Sequence, residues 1–166
     1  MNPIIRPETA GDQAAIHDIT KRAFAPMPYS DGDESDLIDR LRNADALPIS
    51  LVAEQDGTVV GQVTFTEAFA ADGSPGWYAL GPVAVEPELQ SQRIGAQLIE
   101  AGLDRLRERD AAGCVLVGNA AYYSRFGCQP FPHLCPEGEP AEYFQILPLR
   151  VKQPDAVVGF HPLFHN

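Results

Sequence analysis

The chain has 166 residues, 45% hydrophobic and 21% charged, which suits one globular domain with a sizeable core. Its 12 basic residues against 23 acidic ones give a formal net charge of −11, and this argues against nucleic acid as a general partner, because phosphate binding needs clustered Lys and Arg. No apolar run reaches the length of a membrane span, and Met1-Asn2-Pro3-Ile4-Ile5-Arg6-Pro7 does not read as a signal peptide, so a cytoplasmic protein without a membrane partner is expected.

Asn2 to Arg6 reads as a short edge strand. Thr9 suits a helix N-cap with Asp12 in the first turn, and Ala15, Ile16, Ile19 and Ala23 keep helical spacing. Ala25 to Asp33 is rich in breakers; its acidic residues, with Glu34, lack the calcium-loop pattern and read as the solvated start of a second helix. Leu37, Ile38 and Leu41 form that helix's apolar face. Ile49–Glu54 and Val59–Phe69 are strands joined by an Asp56-Gly57 hairpin turn, with alternation at Val63, Phe65 and Ala68.

Trp77 to Val85 is an apolar strand bounded by Gly and Pro, and Ile99, Leu103 and Leu106 mark a helix after it. The polar loop between them, Pro87 to Gly95, gathers free backbone N–H groups at a helix start, a place suited to an anion such as a diphosphate; the alternative is an ordinary strand-to-helix turn. Cys114 to Val117 is uniformly apolar and reads as a central strand, parallel to or splayed from the one before the helix. Ala120 to Phe126 is a short helix capped by Gly127, and Tyr143–Leu149 and Val157–Phe164 are strand-like. Cys114, Cys128 and Cys135 fit reduced thiols, Cys114 as a core residue. His161 and His165 have metal-like spacing, but Pro162 denies them one helical face, and no metal is expected.

Two stretches carry a family resemblance. Pro87-x-x-Gln90-x-x-Arg93-x-Gly95-Ala96, after Val83-Ala84-Val85, resembles the acetyl-coenzyme-A signature of the GNAT superfamily of N-acetyltransferases, written Gln/Arg-x-x-Gly-x-Gly/Ala. Gln90 and Gly95 fit, whereas Arg93 stands where the first Gly usually is; it either points outward or bends back to a phosphate. Asn119 to Cys128 resembles that family's aromatic-Tyr-x-x-x-Gly-Phe segment, with Tyr123 in the place of the frequent general acid and Cys128 replacing the final Phe. The alternative for Tyr122 and Tyr123 is a packing role on a short helix.

The resemblance spans nearly the whole chain and implies a single domain over residues 1–166. The implied fold is α+β: a central, mostly antiparallel sheet with splayed fourth and fifth strands, flanked by helices. It implies acetyl-CoA as co-substrate, a primary amine of a small molecule or protein as acceptor, and direct attack through a tetrahedral intermediate. It assigns the cofactor to Gln90, Ser91, Gln92, Arg93, Ile94, Gly95 and Ala96, to the strand edge at Val83 and Val85, and to Asn119, with Tyr123 as general acid. Glu34, Glu67, Tyr78 and Glu86 are conceivable bases, and none is assigned. The acidic surface serves solubility or attracts a cationic amine. A homodimer is compatible with the sequence, and a non-catalytic acyl-CoA-binding module is the alternative function.

Overall fold

The computed structural model describes residues 2–28 and 30–165, His165 for its backbone alone. The main sheet has the strand order β1-β2-β3-β5-β6-β8-β7: β1 (Ile4–Pro7), β2 (Ile49–Gln55), β3 (Thr58–Glu67), β5 (Trp77–Val85), β6 (Gly113–Val117), β8 (Phe144–Pro148) and β7 (Gln129–Pro130). A two-stranded ribbon pairs β4 (Phe69–Ala70) with β9 (Val158–Gly159). The helices are α1 (Gln13–Phe24), α2 (Glu34–Asn43), α3 (Ile94–Glu108) and α4 (Ala120–Tyr123). The β1–β2, β2–β3, β6–β8 and β7–β8 pairs are antiparallel, and β5–β6 is parallel. This is the expected mixed, mostly antiparallel α+β fold. The parallel register covers only Trp77–Ala79 against Gly113–Val115, although β5 continues to Val85. No helix among the described residues is long and apolar enough to cross a membrane.

The chain forms two compact units, Met1–Phe65 with Gly81–Asp104, and Thr66–Leu80 with Arg105–Asn166. In the first, α1 and α2 bury the residues their spacing marks, Ile16, Ile19 and Ala23 on one and Leu37, Ile38 and Leu41 on the other. Each of the Ile and Leu side chains contributes about 1.5–3 kcal/mol on burial. Thr9 caps the single 3-10 turn before α1 in an unexpected sense: the Asp12 carboxylate accepts from both the Thr9 N–H (2.7 Å) and its hydroxyl (3.0 Å). Asp12 also takes two bonds from Arg6, which bonds Glu54 on β2 as well. The guanidinium beside it lowers the Asp12 carboxyl to about 2. The Asp56-Gly57 turn has φ of 53° and 78°, the left-handed pair that a two-residue hairpin needs.

Strand β3 departs from simple alternation. Val63 and Phe65 are buried as expected, but Gln62, Thr64 and Thr66 on the other face are fully buried too. Gly102 on α3 lies against Phe65: a Cβ there would stand 2.1 Å from a ring carbon. The strand expected over Val59–Phe69 ends at Glu67, and Phe69 joins the separate ribbon with β9.

In the second unit, Trp77, Ala79, Val115, Phe144 and Ile146 share one core cluster. Cys114 is buried in β6 as expected. Only Val158–Gly159 of the strand-like run Val157–Phe164 is extended; Pro162, lacking an N–H for a ladder, opens a 3-10 turn instead. The His161 Nδ1 accepts from the Leu163 N–H at 3.1 Å, while the His165 side chain expected to accompany it lies outside the described residues.

Candidate functional site

The loop after β5 is held to the sheet at its start and by short-range bonds after that. The Glu86 N–H donates to Val60 O on β3 at 2.8 Å, and Pro87–Leu89 make one 3-10 turn. The Gln90 side-chain amide then reaches back to Val85 O at 3.2 Å, so two of the expected cofactor residues meet directly. Ser91, Gln92 and Arg93 are exposed. Ser91 and Arg93 both have φ of 68°, in the left-handed region. Arg93, where the family signature usually has a glycine, thus carries a Cβ in a conformation that favours glycine, at a cost of about 1–2 kcal/mol.

Helix α3 begins at Ile94. Its Gln97 N–H bonds Arg93 O at 3.0 Å, and among the described residues the N–H groups of Ile94, Gly95 and Ala96 have no backbone acceptor. A helix of this length concentrates partial positive charge on those three groups. The first turn is also anchored. The side chains of Ile94 and Ala96 are buried, and Gly61 on β3 leaves room for it: a Cβ at Gly61 would lie 3.0 Å from the Leu98 side chain and 3.4 Å from that of Ile94. Val83 and Val85 are half-buried on β5. Glu86, beside the loop, is held by Arg22 through bonds of 2.8 and 2.9 Å, so both its oxygens are engaged.

In the second unit, Asn119 follows β6 as the N-cap of α4. Its side-chain oxygen accepts from the Tyr122 N–H at 3.2 Å, and its carbonyl accepts from the Tyr123 N–H at 3.0 Å. The two tyrosines differ in surroundings. The Tyr122 ring lies under the Arg125 guanidinium at 4.3 Å and edge-on to Phe126 at 5.7 Å. Tyr123 packs edge-on to Tyr122 at 5.0 Å and covers Gly118, where a Cβ would come 2.5 Å from the ring. Gly127 ends the following 3-10 turn, as expected.

Of the other candidate bases, Glu34 accepts from the Ser30 hydroxyl. Glu67 and Tyr78 line one cavity of about 290 Å³ with Phe69, Ser74 and Trp77. None of the cysteines is poised as a nucleophile. Burial pushes the Cys114 thiol far up and Cys128 up to about 12, and it raises Cys135 as well. The sequence reading passed over Gln62 and Thr64, both bonded to Pro82 O on β5. Their signal was the run of polar residues alternating through an otherwise apolar strand, which also fits a solvent-facing edge.

The chain is similar in sequence and fold to known proteins. The family model for the Acetyltransferase (GNAT) family matches residues 14–128. The uncharacterised N-acetyltransferase YhbS of Escherichia coli K12 is 34% identical over 131 residues, 78% of this chain and 75% of that protein. A GNAT family acetyltransferase from Brucella melitensis, solved in complex with acetyl-CoA, superimposes with a TM-score of 0.86 at 41% identity, covering 98% of this chain and 97% of that one. The YhbS structure from Escherichia coli, solved with CoA, gives 0.88 at 28% identity over 100% and 93% of the two chains. The chain belongs to the GNAT acetyltransferase family.

Proposed function

We propose that the protein moves the acetyl group of acetyl-CoA to a primary amine, carried by a small molecule or by a protein. The observation that supports this most is the set of N–H groups at Ile94, Gly95 and Ala96 that have no backbone acceptor among the described residues, on an anchored helix start in a member of this family. The diphosphate is assigned to the backbone from Gln90 through Ser91, Gln92, Arg93, Ile94 and Gly95 to Ala96. The β5 edge at Val83 and Val85 bonds the pantetheine arm in the manner of an added strand, and the Asn119 amide nitrogen supplies a further contact.

The chemistry follows from these roles. A free lysine-type amine has a pKa of about 10.4, so it must lose a proton, to water or to a base, before it attacks. The neutral nitrogen forms a bond to the thioester carbon, and the carbonyl oxygen becomes an oxyanion stabilised by a β5 backbone N–H. The nitrogen, now cationic, releases its second proton to water, and collapse breaks the carbon–sulfur bond to leave the amide and the CoA thiolate. Tyr123 gives its proton to the departing thiolate, and solvent returns one to the phenolate. The excess of acidic side chains favours a cationic acceptor.

Acetyl-CoA is offered to the purified protein with a panel of amines and peptides, and free thiol is followed with mass detection of the acetylated product. Turnover above the acceptor-free rate is expected with at least one amine. Arg93 at the glycine position favours a second reading, a non-catalytic acyl-CoA-binding module, which predicts binding without turnover across the panel.

A further inference from the structure

Within the first compact unit, one polar cluster is buried behind β5. Gln62 and Thr64 are both fully buried on β3, and both donate to the carbonyl oxygen of Pro82: Gln62 Nε2 at 3.3 Å and Thr64 Oγ1 at 3.1 Å. Gln62 Nε2 also donates to Thr20 Oγ1 at 3.2 Å, and the Thr20 hydroxyl donates to Ile16 O at 2.7 Å. This chain of bonds fixes the amide's orientation. Flipping it would set Gln62 Oε1 against Pro82 O and against a hydroxyl whose hydrogen is already committed. In the observed orientation Gln62 Oε1 is buried with no partner among the described residues, a cost the fold carries to keep both N–H groups where they are.

The held carbonyl is next to the proposed reacting edge. Gly81 has φ of 120°, a conformation open to glycine and strained for other residues, so the backbone leaves regular strand geometry just before Pro82. A regular ladder therefore does not dictate which way the Pro82–Val83 peptide faces. That peptide is a planar trans unit, in which C=O and N–H point in opposite directions. Two side-chain donors that capture Pro82 O on the β3 side thereby aim the Val83 N–H away from β3.

We propose that Gln62 and Thr64 are positioning residues that, supported by Thr20, lock the Pro82–Val83 peptide so that the Val83 N–H donates to the thioester carbonyl oxygen of acetyl-CoA. This rests on the reading that the β5 edge receives acetyl-CoA. The donor is preorganised and needs no reorientation as negative charge develops on the oxygen.

The test uses the full chain and acetyl-CoA labelled with 13C at the carbonyl. Binding to the wild type is expected to move the carbonyl resonance downfield of its free value, because a hydrogen bond polarises the carbonyl. Gln62→Met, close to isosteric, should return the resonance most of the way to the free value, while affinity for CoA, which lacks the carbonyl, stays within about threefold. Thr64→Val should act in the same direction and to a smaller extent. Val63→Ala, a cavity on the opposite face of β3, should lower the melting temperature without moving the resonance. If Gln62→Met does not fold, Thr64→Val decides: an unmoved resonance there overturns the proposal. An unshifted resonance in acetyl-CoA-saturated wild type, an unchanged shift in folded Gln62→Met, or an equal loss in Val63→Ala also overturns it. Failure of the wild type to bind acetyl-CoA or CoA would instead remove the reading of the β5 edge on which it rests.

Discussion

Two segments of this chain have the same plan, a strand, a short polar link and a helix, and use it in opposite ways. After β5 the link leads into α3, fifteen residues long, whose first N–H groups at Ile94, Gly95 and Ala96 find no backbone acceptor among the described residues. After β6 it leads into α4, four residues long, where Asn119 takes the N–H groups of both Tyr122 and Tyr123. The first segment keeps its backbone donors available and has a long helix to concentrate their charge. The second commits the Tyr122 N–H to the Asn119 side chain and has only four residues to concentrate charge, so what it can offer a reaction comes chiefly from side chains. The proposed division of labour follows this difference: a backbone that would hold an anion in one, and a phenol that would move a proton in the other.

The sharpest way to break this contrast is Gly95→Glu. A carboxylate beside the free amides should reduce CoA affinity about a hundredfold or more with little change in fold, measured by calorimetric titration. Affinity equal to wild type would place the cofactor elsewhere. Next in size is Tyr123→Phe, which should lower kcat about a hundredfold, the lower end for general acid catalysis, with acetyl-CoA affinity unchanged. Tyr122→Phe, whose ring is engaged by Arg125 and Phe126, should turn over at nearly the wild-type rate, and the reverse result would exchange the roles of the two tyrosines.

Smaller effects sharpen the comparison. Arg93→Gly and Arg93→Ala both lose the guanidinium, but only Ala keeps a Cβ in the left-handed backbone. The glycine variant should be about 1 kcal/mol the more stable in denaturant titration, and an affinity loss common to both would measure what the guanidinium adds. Asn119→Ala removes the α4 cap and should cost about 1 kcal/mol, roughly 2–4 °C in melting temperature. A contact from its amide to pantetheine predicts an accompanying loss of acetyl-CoA affinity of about fivefold, and unchanged affinity would leave Asn119 with capping alone.

What the sequence made legible was local. Asp56-Gly57 announces its turn because few residue pairs tolerate two left-handed positions, and both are found there. The loop from Gln90 to Gly95 is readable because an anion site at a helix start needs only a strand, a short link and a long amphipathic helix in succession. The fate of β3 was less legible. Period-2 spacing marks Val63 and Phe65 but cannot say whether the opposite face is wet, and Gln62, Thr64 and Thr66 are buried because that face is covered too. Phe69 leaves the main sheet for a partner, β9, nearly ninety residues later in the chain, a pairing that no local pattern encodes. The general base has no distinctive sequence pattern, since any carboxylate or ordered water near the amine would serve.

The central claim, that free backbone amides at the start of α3 hold the cofactor, is tested most directly by following the 15N–1H amide resonances while CoA is titrated into the CoA-free protein. The account predicts that the amides of Ile94, Gly95 and Ala96 show the largest shifts, and that inorganic pyrophosphate moves the same amides while leaving those of Tyr122 and Tyr123 near their starting positions. Saturating CoA binding with those three amides unmoved would contradict it.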